Sequence, residues 1–401
     1  MKGIENLSCM NFDLTEEQNM FLDQVSRACR EIREFEDKAY LERRYNEKIY
    51  PILRKAHLLG IPISQIYGGA GADILTYVLA TQRLGQEGFS VRTFFSAHIS
   101  IGQLVIQEFG NEEQKERYLK KTTSGEMIMA FALTEPTSGS DPASLRCKYE
   151  DRGDHYVLNG SKCWISNATK AHLITTYAKD KKTKKISAFI MEAESEGYST
   201  EEEKNKMGVV TSDTGSIYFD DCPVPKENLL FEEGKGLNVA FGALMNGRLS
   251  VAAGCVGVME DCLKEAQEYA KQRVQHGKEI AKHQLIQRHI AIISTNLEAA
   301  KFLTYRAALA KMDYQEDKKN LKKRIFADQL IAQAKYFASN AAYDAADRAV
   351  QIFGANGYSL LNRPARHLCD VRVSRILEGA SEVLELKIAA GVLGREFAAF
   401  R

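Results

Sequence analysis

The chain has 401 residues, with 54 Lys or Arg against 53 Asp or Glu, so its formal net charge is +1. A length of this size allows two or three domains, at about 100–200 residues each, with a large core. Hydrophobic residues make up 44% and charged residues 27%, both ordinary for a globular protein. The balanced charge gives no reason to expect a nucleic-acid partner or an anionic membrane surface.

The eight cysteines are scattered and form no Cys-x-x-Cys pair, which disfavours a zinc site or a redox dithiol. Isolated cysteines usually serve as small buried apolar residues, so a reducing compartment is expected. No histidine falls in a metal pattern, and no metal site is predicted. The N-terminus carries no signal-like or Arg-rich transit segment, and the longest small-apolar stretch, 250–259, is shorter than the roughly 20 residues that span a bilayer. The expectation is a soluble cytoplasmic protein without a membrane partner.

Residues 1–123 are predicted to be a helical domain. Thr15 and Gln18 can form a capping box at a helix start, and residues 111–114 repeat that signal. Residues 67–73 hold three glycines in four positions and are predicted to be a loop, because glycine weakens a helix.

Residues 124–230 are predicted to be a central β domain. Two β-prone runs flank Asn159-Gly160, which predicts a hairpin at that dipeptide. A second hairpin is predicted across a Lys-rich turn. The β-prone runs that follow are 172–178, 186–191 and 217–219, the last ended by Pro223 and Pro225.

Residues 231–401 are predicted to be helical again, from apolar residues that recur every three or four positions. The order of helices, then strands, then helices argues against alternating βαβ units. No Gly-x-Gly-x-x-Gly fingerprint is present, so a dinucleotide-binding domain is not expected.

Two blocks of sequence carry a resemblance to a known family. The first, residues 132–144, contains Leu-Thr-Glu-Pro followed by Gly-Ser-Asp, and the second spans residues 351–382. Together they resemble the signatures of the acyl-CoA dehydrogenase family, over essentially the whole chain. The resemblance implies a multidomain α+β fold with an N-terminal helical domain, a β-barrel-like middle domain and a C-terminal four-helix bundle. It also implies FAD as cofactor.

The implied reaction is the α,β-dehydrogenation of an acyl thioester to the 2-enoyl thioester. A carboxylate removes the α-proton and flavin N5 accepts the β-hydride, since no protein side chain accepts a hydride. Glu378 matches the family's base by position, and Arg248 matches an arginine beside it. A glutamate serves as base when burial raises its pKa toward the working pH, and Ile376, Leu377 and Val383 are expected to form an apolar wall.

Further positions match the family's ligand contacts. Arg273 matches an arginine that reaches across a subunit interface to the FAD pyrophosphate, and an arginine fork suits that role. Ser140 matches a contact to the arm of the thioester. The cofactor-binding positions implied by the resemblance are Phe131, Leu133, Thr134, Trp164, Ser166, Arg273, Gln284, Gln351, Gly354 and Glu382.

Some positions depart from the family pattern and leave the substrate open. Ala380 stands where many members have a threonine, and Met245 where an acidic CoA contact is common, so the carrier can be CoA or a carrier protein. Arg92 lies on a substrate-cavity helix and is similar to an arginine of glutaryl-CoA dehydrogenases. A buried arginine costs desolvation unless it finds an anion, so a short or carboxylate-bearing acyl group is the hypothesis. The alternative is that Arg92 turns outward to a surface acid.

Other functions stay open on the same scaffold. An acyl-thioester oxidase or a flavin monooxygenase would react with oxygen directly, and a DNA-associated flavoprotein relative would need a basic patch. The expected electron acceptor is an electron-transfer flavoprotein, and the expected assembly is a homotetramer or dimer.

Overall fold

The computed structural model describes residues 13–399. The helical character predicted for the first part of the chain is confirmed. Thr15 accepts from the amide of Gln18, Asn111 accepts from the amide of Gln114, and both capping boxes are complete. The helices of this part are α1 (Glu16–Leu41), α2 (Ile49–Lys55), α3 (Ile74–Gly85), α4 (Phe89–His98), α5 (Leu104–Phe109) and α6 (Glu112–Thr123).

A π-helical turn, Ile99–Gln103, joins α4 to α5. Every residue of α4 is buried, including Arg92 and His98. Insertions of this kind in an α-helix are frequent at functional sites.

The middle of the chain forms a sheet of β1 (Met129–Ala132), β2 (Lys148–Asp151), β3 (His155–Ser166), β4 (Leu173–Asp180), β5 (Ile186–Glu192), β6 (Tyr198–Glu202), β7 (Thr214–Pro225) and β8 (Leu229–Leu230). The strand order is β6-β7-β3-β2-β4-β5-β8, with β1 paired parallel to β4. β4 and β5 pair antiparallel across the Lys-rich turn, which confirms the second predicted hairpin.

The hairpin predicted at Asn159-Gly160 is wrong, because β3 runs straight through both residues. β3 pairs with β2 and β7, and a register shift after Leu158 marks a β-bulge. Gly160 has φ 144°, and a Cβ there would lie 2.8 Å from Cα of Cys147. The glycine therefore serves a bulge with close strand packing, and not a turn.

The strand at 217–219 is also longer than predicted, since β7 continues through Pro223 and Pro225. Both prolines lie opposite residues of β3, whereas β6 pairs with β7 only over residues 215–219. The half of β7 that contains the two prolines therefore has a hydrogen-bonded neighbour strand on one side only. Because proline lacks the backbone N–H, it fits such an edge without the loss of a hydrogen bond between strands.

The last part contains α7 (Gly236–Gln272), β9 (Val274–Gln275), β10 (Lys278–Glu279), α8 (Gln284–Glu316), α9 (Leu321–Phe353), α10 (Arg363–Val371) and α11 (Ser381–Leu393). α7, α8 and α9 pack on one another, and α11 packs on α9. The domain boundaries at 123/124 and 230/231 stay predictions.

Within residues 13–399, α7 is the one helix long and apolar enough to cross a bilayer, and 89% of its apolar window is buried in protein. α7 is therefore the core helix of the bundle. At Gly257 of α7, a Cβ would lie 2.0 Å from the carbonyl oxygen of Gln82 in α3. This close crossing brings α3, and with it α4, directly against α7.

A buried ion pair connects the segment that follows β1 to β3. Nζ of Lys162 lies 2.8 Å from Glu135 and also donates to the carbonyl of Leu133 at 3.3 Å. Glu135 in turn accepts from the amide of Cys147 at 3.0 Å. The segment that follows β1 is thereby fixed beside the end of β3.

Candidate active site

Glu378 lies in the short loop that leads into α11, with its backbone in the left-handed region at φ 55°, and Gly379 follows at φ 104°. Residues other than glycine rarely adopt this conformation, and those that do cluster at functional sites. Nε of Arg248 donates to the carbonyl of Glu378 at 2.9 Å, and Nζ of Lys335 donates to the carbonyl of Gly379 at 2.7 Å. The loop is therefore held from α7 and from α9.

The carboxylate of Glu378 points into the protein, and its side chain is 13% exposed. Oε1 lies 3.6 Å from Nη2 of Arg92, and Oε2 has no hydrogen-bond partner among the described residues. Burial raises the pKa of Glu378, while the charges of Arg92, Lys335 and Arg248 oppose that rise. A buried carboxylate with a raised pKa and an unpaired oxygen can accept a proton from a bound molecule.

Arg92 points inward, so the alternative that it turns to a surface acid is wrong. Its side chain is 1% exposed, and Nε donates to the carbonyl of Ser250 at 3.3 Å. Its other nitrogens reach the hydroxyls of Thr93 at 3.4 Å and Ser96 at 3.2 Å. The guanidinium also lies over the ring of Phe89, 4.9 Å from the ring centre.

A second group of residues, at positions where the resemblance implies contacts to the flavin, lies on β1, on the segment that follows it and on β3. The amide of Cys163 donates to the carbonyl of Thr134 at 3.0 Å, which places Thr134 beside Trp164. The indole of Trp164 is 62% exposed, and its backbone has φ 59°. Phe131 and Leu133 are buried, and Ser166, two residues further along β3 than Trp164, is half-buried.

A third group lies at the far end of α7. Arg273 caps the C-terminus of α7, and Gln284 is the first residue of α8. Gln351 and Gly354 lie at the end of α9, and all four residues are exposed. Stacking of Tyr269 on Phe353, with ring centres 4.1 Å apart, joins the two helix ends.

The far group is remote from Glu378 within one chain. Arg248 and Arg273 are 25 positions apart on the same helix, which corresponds to about 37 Å at 1.5 Å per residue. Ser140 lies in the exposed segment after β1, and Glu382 is exposed in the first turn of α11. Ile376, expected in the apolar wall, is 57% exposed and does not belong to it.

Three residues near Glu378 escaped the sequence reasoning. Lys335 is buried on α9, and Asn246 is buried on α7 with both amide atoms unpaired among the described residues. A Cβ on Gly247 would lie 2.0 Å from Oε2 of Glu378. Lys335 left a signal in the sequence, because the residues three and four positions away, such as Ile331, are apolar or small and place it on the buried stripe.

The helices hold a buried carboxylate with an unpaired oxygen, and the sheet carries an exposed aromatic ring. Family models for the acyl-CoA dehydrogenase N-terminal, middle and C-terminal domains match residues 15–126, 130–222 and 234–393. The chain belongs to the acyl-CoA dehydrogenase family, and it is a flavin-dependent oxidoreductase.

Curated relatives match almost end to end. An acyl-CoA dehydrogenase of Bacillus subtilis is 38% identical over 95% of this chain and 99% of its own length. The caffeyl-CoA reductase-Etf complex subunit CarC of Acetobacterium woodii is 36% identical over 94% of this chain and 98% of its own. These matches do not favour the alternatives of an oxidase, a monooxygenase or a DNA-associated relative.

Solved structures agree with the same fold. The butyryl-CoA dehydrogenase of Megasphaera elsdenii superposes with a TM-score of 0.90 at 34% identity, over 96% of this chain and 100% of that chain. A glutaryl-coenzyme A dehydrogenase in complex with glutaryl-CoA superposes with a TM-score of 0.89 at 33% identity, over 97% and 98% of the two chains.

The residues present fit the family's cofactor, FAD. A large aromatic ring that is 62% exposed, as Trp164 is, offers a flat apolar surface to a planar ligand. Thr134, two residues after the end of β1, and Ser166, the last residue of β3, each carry a hydroxyl. These residues would hold the isoalloxazine ring, and FAD bound there would supply the hydride acceptor.

Trp164 is the only tryptophan in the chain, so its fluorescence reports on this site directly. We expect FAD added to flavin-free protein to quench the tryptophan emission strongly, because the flavin ring would lie against the indole. A fluorescence titration measures this, with AMP as the matched ligand that lacks the flavin. Unchanged emission at saturating FAD would show that Trp164 does not contact the ring.

Proposed function

We propose that Glu378 is the base of an acyl-CoA α,β-dehydrogenation, and that the substrate is a short acyl group with a polar or anionic end. The observation that carries the proposal is the buried carboxylate of Glu378, whose Oε2 has no partner among the described residues, next to the inward-pointing Arg92. Glu378 would take the α-proton, and FAD held at the site of Trp164 would supply the acceptor for the hydride from Cβ. Arg248 and Lys335 hold the turn that aims the carboxylate.

Glu378→Gln is the direct test of the base. The amide has nearly the same shape but cannot accept the proton, so we expect an intact flavin spectrum and a loss of anaerobic bleaching by butyryl-CoA of at least about a thousandfold. Stopped-flow absorbance measures the bleaching. Glu17→Gln, at an exposed glutamate of α1, is the control, and bleaching at an ordinary rate in Glu378→Gln would remove Glu378 from the role.

The polar end of the substrate is inferred from the side chains around Arg92. Thr93, Ser96 and Ser100 present hydroxyls beside the guanidinium, with the two serine oxygens 2.7 Å apart. Each of these hydroxyls already has a protein partner, since Thr93 also donates to the carbonyl of Phe89 at 2.8 Å and Ser100 to that of Ser96 at 2.9 Å. Among the described residues, however, the guanidinium charge has no anion nearer than Glu378, 3.6 Å away, and a buried charge without a close anion is costly. A carboxylate or hydroxyl on the acyl group would bind Arg92 and would compete with Glu378 for it.

Replacing Arg92 should change which substrate is preferred. We expect wild type to prefer glutaryl-CoA over butyryl-CoA, and Arg92→Met to lower kcat/KM about a hundredfold for glutaryl-CoA but less than about tenfold for butyryl-CoA. Gly254→Ala should act in the same direction, because its Cβ would lie 2.6 Å from Cγ and Cδ of Arg92. Arg117→Met, a surface arginine, is the control, and equal rates of wild type on both thioesters would contradict a polar substrate.

The proposed electron acceptor is an electron-transfer flavoprotein. The support is the relative from Acetobacterium woodii whose name places it in a complex with Etf. The proposed location is the cytoplasm. The seven cysteines of the described chain are all free thiols, which suits a reducing compartment.

The proposed assembly is a dimer or homotetramer in which two chains build each FAD site. The support is the distance of about 37 Å along α7 between the catalytic end and Arg273. An exposed arginine fork at a helix end would bind a pyrophosphate well, but that pyrophosphate would belong to the site of another subunit.

Hybrid enzymes test this sharing of a site. In a hybrid of one Arg273→Met chain and one Glu378→Gln chain, one of the two sites regains both native residues, so we expect about half of the wild-type activity per dimer. Each variant alone should be nearly inactive. Co-expression with two affinity tags and measurement of butyryl-CoA oxidation would show this, and hybrids no more active than the parents would place Arg273 and Glu378 in the same chain's site or remove Arg273 from it.

A further inference from the structure

Lys335 is a buried cation with an unusual environment. It is 0% exposed, and in the described structure no carboxylate lies within 4.0 Å of its ammonium. The other buried lysines differ, since Lys162 lies 2.8 Å from Glu135 and Lys311 lies 3.6 Å from Glu108. Lysine is almost never fully buried unless it is paired with an anion. The burial of the charge of Lys335 therefore needs an explanation.

The one acceptor found for its ammonium within residues 13–399 is the carbonyl of Gly379, at 2.7 Å. That carbonyl belongs to the left-handed turn that carries Glu378. The free energy of a single hydrogen bond to a neutral carbonyl does not offset the cost of burying an ammonium group. Burial lowers the pKa of Lys335 to about 8, and the charges of the Cys255 thiol and of Glu378 oppose that shift.

We infer that Lys335 is a positioning residue for the reaction: it fixes the turn of Glu378 through the Gly379 carbonyl and keeps the carboxylate ionised. The inference rests on the proposed role of Glu378 as base. Lys335 does not touch the substrate. It acts through the backbone of the loop, at the Gly379 carbonyl, and it supplies both a fixed geometry and a positive field.

The charged groups around the base come from several elements. Arg92 faces it from α4, Arg248 from α7 and Lys335 from α9. Behind Arg248, Asp328 lies 3.8 Å from its guanidinium and also binds Lys387 at 2.6 Å. The thiol of Cys255 is a further titratable neighbour of Lys335.

The sign of the pH effect follows from these charges. Burial raises the pKa of Glu378, and the charge of Lys335 lowers it. Removing Lys335 therefore raises the pKa of Glu378 further. Since the base must be ionised, the acid limb of the rate profile should move to higher pH in a variant without this charge.

The test uses FAD-loaded enzyme with butyryl-CoA as the probe. Lys335→Met keeps an unbranched side chain of similar volume and removes the charge, and Lys335→Gln keeps a neutral donor. Lys311→Met is the matched control at another buried lysine. We measure the anaerobic exchange of the α-hydrogens of butyryl-CoA with D2O by NMR, the pH profile of flavin bleaching, FAD content and the thermal midpoint.

We expect Lys335→Met to slow α-hydrogen exchange about tenfold to a hundredfold, with its acid limb at higher pH, KM within about threefold and FAD content unchanged. Lys335→Gln should shift the acid limb in the same direction, and Lys311→Met should not. The inference is wrong if the acid limb stays at the wild-type pH in a Lys335 variant that folds. It is also wrong if the loss of α-hydrogen exchange follows a loss of FAD.

Glu378→Gln separates this inference from the proposed function. If Glu378→Gln still exchanges the α-hydrogens, the proposed base is wrong, and the role of Lys335 falls with it. If Glu378→Gln abolishes exchange and the Lys335 variants exchange as wild type does, only the positioning role is wrong.

Discussion

The arrangement of the site depends on one buried carboxylate surrounded by three cations. Glu378 sits in a left-handed turn that its own sequence would not adopt without support. Arg248 and Lys335 bind the two successive carbonyls of that turn, and Arg92 lies 3.6 Å from the carboxylate. Each cation comes from a different helix, so the base is set by the packing of α4, α7 and α9 together.

The same packing explains how an arginine can occupy the cavity. Glycines let α3 cross α7 at close range, and α4 follows α3 into the interior. Arg92 then finds the Ser250 carbonyl, hydroxyls and the Phe89 ring as partners. An arginine buried at this cost gains most when a second anion enters the site, and this is the physical reason for proposing a polar acyl group.

The long helix α7 separates the two ends of the proposed machinery. Its first half carries Arg248 beside the base, and its last residues lead to Arg273 at the exposed end of the bundle. Residues on one rigid helix cannot approach each other. The function proposed for Arg273 therefore requires a second chain, and the exposed ends of α7, α8 and α9 are where that chain would contribute.

The sequence by itself determined what depends on local interactions and on motifs. The capping boxes at Thr15 and Asn111 involve partners three residues away, and the two signature blocks identify the family and its expected base. The errors arose where a distant partner outweighs a local preference. Asn159-Gly160 favours a turn in isolation, but β2 and β7 hold it in a strand. Prolines such as Pro223 and Pro225 end a strand only where that strand is hydrogen-bonded to neighbouring strands on both sides.

The tertiary structure alone decided how residues from distant segments face one another. The sequence left the direction of Arg92 open, because an arginine on a helix can serve the core or the surface. It gave no sign that Lys335 binds the turn of Glu378, since the two residues are 43 positions apart and meet only through the packing of α9 against that loop. Motifs thus named the base, whereas its charge, its orientation and its separation from Arg273 follow from helix packing, which no local pattern encodes.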